Sequence, residues 1–369
     1  MIGYGRSFLM GVSLLAVLGI QATGTEYTLE QALPKTEENL VRLNPKDKAQ
    51  VSESLRVKKM FGSQVWPGLG EALIPLILFN ERFEFLIAHP NPPAPWAVVD
   101  GDALQGRPYF RREQEQSQAF AVPVGDLWAG SMTTLSHMSR AMEEELKENV
   151  PQEKLTPAFI KMMTPTPAQH VVYLLHEAFH AFQAARFSDR FQKANGVYAS
   201  EDRYPFEDAG FIEAWNTEGF LLASALREKD ESERLALIRK FLEVRSRRRS
   251  AASLAPELVD FERELEWLEG LAKYAEMRFA ELCASDEGGP WFKDYRVVRN
   301  RTRVDFYSRL KRLGEQKGDL RFYLSGAAQA MILDLISPEW KQDMLHQNNI
   351  CLEDLLQRAV VNMRSDHSK

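Results

Sequence analysis

A chain of 369 residues, 44% hydrophobic and 27% charged, has the composition of an ordinary globular protein and is long enough to bury a sizeable core. Its formal net charge of -6 lacks the basic excess of nucleic-acid-binding domains, so no nucleic-acid partner is expected. Its two cysteines, Cys283 and Cys351, allow one disulfide or two buried free thiols, and neither sits in a C-x-x-C pair that would hold a metal.

The chain opens with a positive Arg6, an apolar run from Phe8 to Ile20 and small residues Ala22 and Gly24. That order reads as a secretory leader over residues 1–24, too short in its apolar core for a membrane span. An uncleaved anchor is the alternative. The expected compartment is therefore periplasmic or extracellular, with no stable membrane insertion after cleavage.

Residues 25–60 are polar and charged, with helical fragments such as Thr36 to Leu43. From 61 to 130, Pro, Gly and Trp punctuate the short apolar runs EALIPLILF, FEFLIAHP, PWAVVDG and QAFAVPVG. Runs of this kind read as strands, with turns at Asn80-Glu81 and across Pro90 to Pro95. Gln118 to Val124 suits an edge strand or an ordinary core strand, and Pro123 fits the edge better.

From about Met132 the chain reads as helix. Ser136 to Asn149 forms one helix. Thr166-Pro167 is a start signal for another running to about Ser188, with Thr as N-cap and Pro in the first turn. Further helices are expected at 206–228, 231–249, 257–284, 302–313, 321–335 and 351–363. The cluster Arg245, Arg247, Arg248 and Arg249 reads as a solvated or salt-bridged face. A modest sheet followed by a helical body is an α+β arrangement. The expected organisation is a leader at 1–24, an N-terminal segment with the sheet at 25–130, and a helical body at 131–369, with 61–130 and the body forming one unit.

The 166–188 helix contains His176-Glu177-Ala178-Phe179-His180, an H-E-x-x-H sequence. Positions i and i+4 share a helix face, so both imidazoles reach one metal ion. Glu177 can aim its carboxylate at a water on that ion, which is the minimum set of groups for metal-assisted hydrolysis. A catalytic zinc normally keeps three protein ligands and one open position. No His follows in AFQAARFSDR, which removes the metzincin pattern. The third ligand is then expected to be a Glu from a later helix.

Two segments offer one. Trp215-Asn216-Thr217-Glu218-Gly219-Phe220 resembles the W-x-N-E-G-F segment of zinc aminopeptidases, with Asn displaced by one. Trp267-Leu268-Glu269-Gly270-Leu271-Ala272-Lys273-Tyr274 resembles the W-x-x-E-G-x-A-x-Y pattern of other bacterial gluzincins, with one residue missing between Trp and Glu. Gly after the ligand would let its helix pack close to the motif helix. Spacing favours Glu218, because the 206–228 helix folded back antiparallel would bring it level with His180. Glu269 has the better local pattern. Glu213 and Glu207 are remote options.

By these motifs, over residues 166–276, the chain resembles a secreted bacterial gluzincin-type zinc metallopeptidase. The resemblance implies a zincin-like fold with the motif on a central helix. It implies one Zn2+ held by His176, His180 and Glu218 or Glu269, Glu177 as general base, and a peptide or protein substrate. Such enzymes add an oxyanion-stabilising group, for which Tyr323 is the first candidate and Arg321 the second, with Tyr173, Tyr274 and Tyr307 competing. They commonly place a sheet edge above the motif helix, a role that Gln118 to Val124 suits. The rival readings are a non-catalytic zincin-fold binding or assembly protein that keeps a structural metal, and a helical binding protein without metal. Oligomeric state is not legible.

Overall fold

The computed structural model describes residues 40–366 apart from 116 and 348. The expected leader, 1–24, lies outside the described residues, as does the first half of the expected Thr36 to Leu43 fragment. The fold is mixed α+β. Its packing divides it into two compact units: residues up to Arg56 with Leu73–Ala181, and Val57–Ala72 with residues from Phe182 onward.

The first unit holds a six-stranded sheet in the order β3-β4-β2-β1-β6-β5. Its strands are β1 (Leu76–Phe79), β2 (Phe83–Ile87), β3 (Ala97–Val98), β4 (Phe110–Glu113), β5 (Phe120–Val124) and β6 (Leu127–Thr133). β1 and β2 are buried at every position, so β1 reads as an unbroken apolar run and β2 is interrupted only by Glu84, which is ion-paired with Arg112. The Asn80 turn joins them: its side-chain oxygen accepts from the main-chain N–H groups of Arg82 and Phe83, at 2.9 and 2.8 Å. β6 pairs parallel with β1, and every other pairing is antiparallel.

β4 and β6 are not evident as strands in the sequence. β4 reads Phe-Arg-Arg-Glu and is only half-buried, so it carries little apolar signal. β6 contains Ala129, Gly130 and Ser131, poor strand formers that serve another purpose. A β-carbon at Gly130 would stand 2.6 Å from the Ala178 nitrogen and 2.7 Å from the Glu177 carbonyl carbon. The missing side chain lets β6 lie directly on the motif helix. β5 and β6 form a hairpin through Gly125-Asp126, with Gly125 at φ 57°. β5, including Pro123, ends the sheet.

The helices in order are α1 (Pro45–Val65), α2 (Leu135–Asn149), α3 (Pro157–Met163), α4 (Pro167–Arg186), α5 (Ser188–Gly196), α6 (Ala209–Arg227), α7 (Glu231–Ala251), α8 (Pro256–Leu265), α9 (Leu271–Cys283), α10 (Phe292–Leu310), α11 (Leu320–Ile336), α12 (Trp340–His346) and α13 (Leu352–Asp366). The Thr166 hydroxyl accepts from the Gln169 N–H at 3.2 Å, so α4 starts as its Thr-Pro signal indicates. Asp208 and Asp230 cap α6 and α7 in the same way.

Three helical features depart from expectation. α1 is a 21-residue helix in a stretch whose polar face hides its apolar stripe. α10 begins at Phe292, ten residues before the expected Thr302, because its many Arg residues mask the periodicity. The single helix expected over 257–284 is instead α8 and α9 joined by a π-helical turn, Glu266–Gly270.

Tryptophans anchor the second unit. Trp66, Trp215, Trp267 and Trp340 are fully buried, and Trp66 meets Trp340 edge to face at 5.4 Å between ring centroids. No described helix is long and apolar enough to cross a membrane.

Candidate metal centre

α4 is the scaffold of the site. His176, Glu177 and His180 are all buried on it, each no more than 2% exposed. The two imidazoles meet at a ring-centroid distance of 4.9 Å, with their Nε2 atoms 3.2 Å apart. Zn–N bonds of about 2.0–2.1 Å at a tetrahedral angle separate two ligand nitrogens by about 3.3 Å, so this spacing suits a shared ion. Two neutral imidazoles whose Nε2 lone pairs face one another repel, and either a proton on one nitrogen or a cation held by both removes that repulsion. Phe120, at the start of β5, packs on the His180 ring at 4.7 Å and brings the edge strand beside the motif.

Glu269 is the carboxylate grouped with the two histidines. His176, His180 and Glu269 each offer a ligand atom, and these atoms lie within 4.8 Å of one another. One turn past His180 on α4, the Gln183 amide donates to the main-chain carbonyls of Trp267 and Leu268 at 2.9 and 3.2 Å. Those carbonyls belong to the π turn that carries Glu269. A π turn exposes its peptide carbonyls irregularly, and Gln183 satisfies two of them.

Two phenols bond Glu269. Tyr198 donates to Glu269 Oε1 and Asp319 Oδ2, at 3.2 and 3.0 Å. Tyr323 also hydrogen-bonds Glu269; burial, and after it the charges of Glu269 and Asp319, hold the Tyr323 pKa well above the ordinary phenol value. Tyr323 therefore stays protonated and can only donate to that carboxylate.

Glu218, the ligand that spacing favours, is placed elsewhere. It accepts from Arg245 Nε at 2.9 Å and Arg248 Nε at 2.6 Å. Arg245 also binds Glu266 and Glu353, and Arg248 binds Glu262. Arg249 joins Glu262 to Glu353, and Arg263 also pairs with Glu353. The charges balance, four guanidinium groups against four carboxylates, which is the condition for such a network to tolerate burial. The arginine cluster is thus salt-bridged, but inside the protein: only Arg247 of the four is well exposed. The carboxylate positions looked alike in sequence because both stand in a Trp-x-x-Glu-Gly or Trp-x-Glu-Gly frame; the arginines that claim Glu218 lie a helix away.

The glycines after the two glutamates do not face the motif helix as expected. A β-carbon at Gly219 would stand 1.9 Å from the Leu310 carbonyl oxygen, and one at Gly270 would stand 2.5 Å from Gly326 Cα. Each permits a close helix crossing, one onto the end of α10 and the other onto α11.

The remaining candidates have other roles. Arg321 is buried and donates to the Leu313 and Gly314 carbonyls. Tyr173 accepts from Gln169 and Tyr274 donates to Asp334. Glu207 and Glu213 are exposed. Cys283 and Cys351 are buried and form no disulfide with each other. Tyr198, Asp319 and Gln183 were not evident as site residues. Asp319 lies four residues before Tyr323, a helical spacing that links them, but Tyr198 sits in a short 3-10 helix, Val197–Arg203, that carries no local signal.

No protein-family model matches the chain, and no curated protein or solved structure matches it. The reading of the site therefore rests on its own donor set. Two imidazole nitrogens and one carboxylate, all buried, form a donor group that could hold a metal ion, of the kind that three-donor zinc centres use.

Proposed function

We propose that this protein is a zinc-dependent peptide hydrolase in which His176, His180 and Glu269 hold one zinc ion and Glu177 is the general base. The observation that carries the reading is the convergence of three buried donors within 4.8 Å, with Glu177 adjoining a ligand on the same helix. Zinc bound there supplies Lewis-acid activation of water and of a substrate carbonyl.

The rest falls to side chains. Glu177 takes a proton from the attacking water and returns it to the leaving amine. Its burial keeps that transfer away from bulk solvent. Tyr198 and Tyr323 donate to Glu269 and fix the direction of its carboxylate, as outer partners of metal ligands commonly do. This contact favours an orienting role for Tyr323 over the oxyanion role suggested by sequence. β5 is the last strand in the sheet order and the one on which an extended peptide would add, with Phe120 against His180 marking the end nearer the motif. The leader-like residues 1–24 are the ground for proposing secretion or a periplasmic location.

The test is Glu177→Gln. Chelator-sensitive cleavage of a casein-derived peptide mixture by the unaltered protein should vanish in this variant while zinc content holds at one ion per chain. Undiminished cleavage would overturn the assignment.

A further inference from the structure

α10 carries a feature that the proposed hydrolase does not use. From Phe292 to Arg312 the chain holds eight Lys or Arg against two Asp, within a protein of net charge -6. A groove of about 610 Å3 lies where this helix meets the end of α6. Its walls include Arg227 from α6, Arg303 from α10, and Lys311 and Arg312 just beyond α10; no carboxylate is among its lining residues.

We propose that this groove is a binding site for a phosphate-bearing anion. Arg227 is pre-set for the role. Its guanidinium lies over the Tyr307 ring at 4.4 Å, and Tyr307 is itself 9% exposed and so a fixed platform. That cation–π contact restrains the guanidinium while its N–H groups can still bond a ligand. Neighbouring charge is accounted for. Asp305 is taken by Arg309 at 2.9 Å, and Arg312 meets Glu315 only at 3.9 Å with both side chains about half exposed. Ser308 adds a hydroxyl to the wall.

Four cations on one groove repel each other, and a singly charged carboxylate offsets only one of them. A diphosphate or a cluster of phosphodiesters offsets several, and Arg forks match phosphate oxygens in pairs. The volume lies within the range of small-molecule sites. Exposed Val304, on the same wall, offers an apolar contact that a lipid headgroup region or the organic part of a soluble phosphate ester would use equally.

The probes are sodium pyrophosphate, titrated calorimetrically into the full chain, and vesicles of phosphatidylglycerol with phosphatidylcholine, assayed by sedimentation. Binding is expected in at least one arm, weakened by added salt and by about tenfold or more in Arg303→Glu/Lys311→Glu. Arg303→Gln, a milder change at an exposed position, should weaken it in the same direction. Arg296→Ala removes a charge from the same helix outside the groove and should leave binding unchanged within about twofold. Pyrophosphate binding without vesicle binding identifies a soluble ligand, and vesicle binding displaced by pyrophosphate identifies a headgroup. No binding in either arm, equal binding of citrate, or equal loss in Arg296→Ala overturns the proposal.

Discussion

Gln183 donates its side-chain amide to the Trp267 carbonyl at 2.9 Å, joining the motif helix to the turn that holds Glu269. Gln183 is buried, and its second contact is the Leu268 carbonyl. Gln183→Leu would keep most of the volume while removing the amide's bonds to two carbonyls. The expected cost is about 1–3 kcal/mol, read by denaturant unfolding. An unchanged midpoint would show that the π turn does not depend on this contact.

Zinc stoichiometry separates the two glutamates. Glu269→Ala should purify with far less than one zinc per chain, whereas Glu218→Gln should retain it. Tyr198→Phe should leave the stoichiometry at saturation but weaken zinc affinity by about tenfold to a hundredfold, the usual effect of removing an outer partner of a ligand. Zinc kept by Glu269→Ala and lost from Glu218→Gln would return the ligand to Glu218.

His170 confers a pH dependence on stability. Its Nε2–H donates to the Thr133 carbonyl at 2.8 Å, and burial pushes its pKa down to about 4. The unfolded chain takes up this proton near pH 6.5, so the unfolded state binds more protons between pH 6.5 and 4. Stability is full above that window and falls as the pH drops through it, by about 3 kcal/mol in total. Denaturant midpoints measured from pH 4 to 7 should show this slope, and His170→Gln should flatten it.

Arg245→Ala would strand Glu218, Glu266 and Glu353 in the interior with less positive charge to offset them. Removing one member of such a network costs about 3–5 kcal/mol. Arg247→Ala, on the exposed side of the same helix, should change stability by no more than about 0.5 kcal/mol. Similar effects from both would contradict the buried network.

Gly130→Ala places a methyl group against the main chain of Glu177 and Ala178. Neither backbone can yield cheaply, so β6 must shift, at an expected cost of about 1–3 kcal/mol. On the proposed function, hydrolysis should fall more than stability alone explains, because the displaced backbone belongs to the general base. Thermal unfolding together with the rate per folded molecule checks both parts.

Much of the architecture was local and therefore legible. The Thr166-Pro167 start, the i and i+4 placement of His176 and His180, the buried runs of β1 and β2 and the α+β order follow from near-neighbour chemistry. Weaker elements were not. β6 hides its strand character behind Ala129-Gly130-Ser131, residues selected by contact with a helix some 48 positions later in the chain. The extent of α10 was obscured by the arginines along it.

The choice between Glu218 and Glu269 shows where sequence runs out. Both stand after a Trp, both precede a Gly, and both are buried. Sequence alone determined that a His pair with an adjoining Glu shares one helix, and raised the expectation of a later carboxylate beside them. Only tertiary structure decided which carboxylate is available. Arg245 and Arg248 hold Glu218 by charge, while Gln183 bonds the π turn that carries Glu269, and none of those contacts is local in the chain.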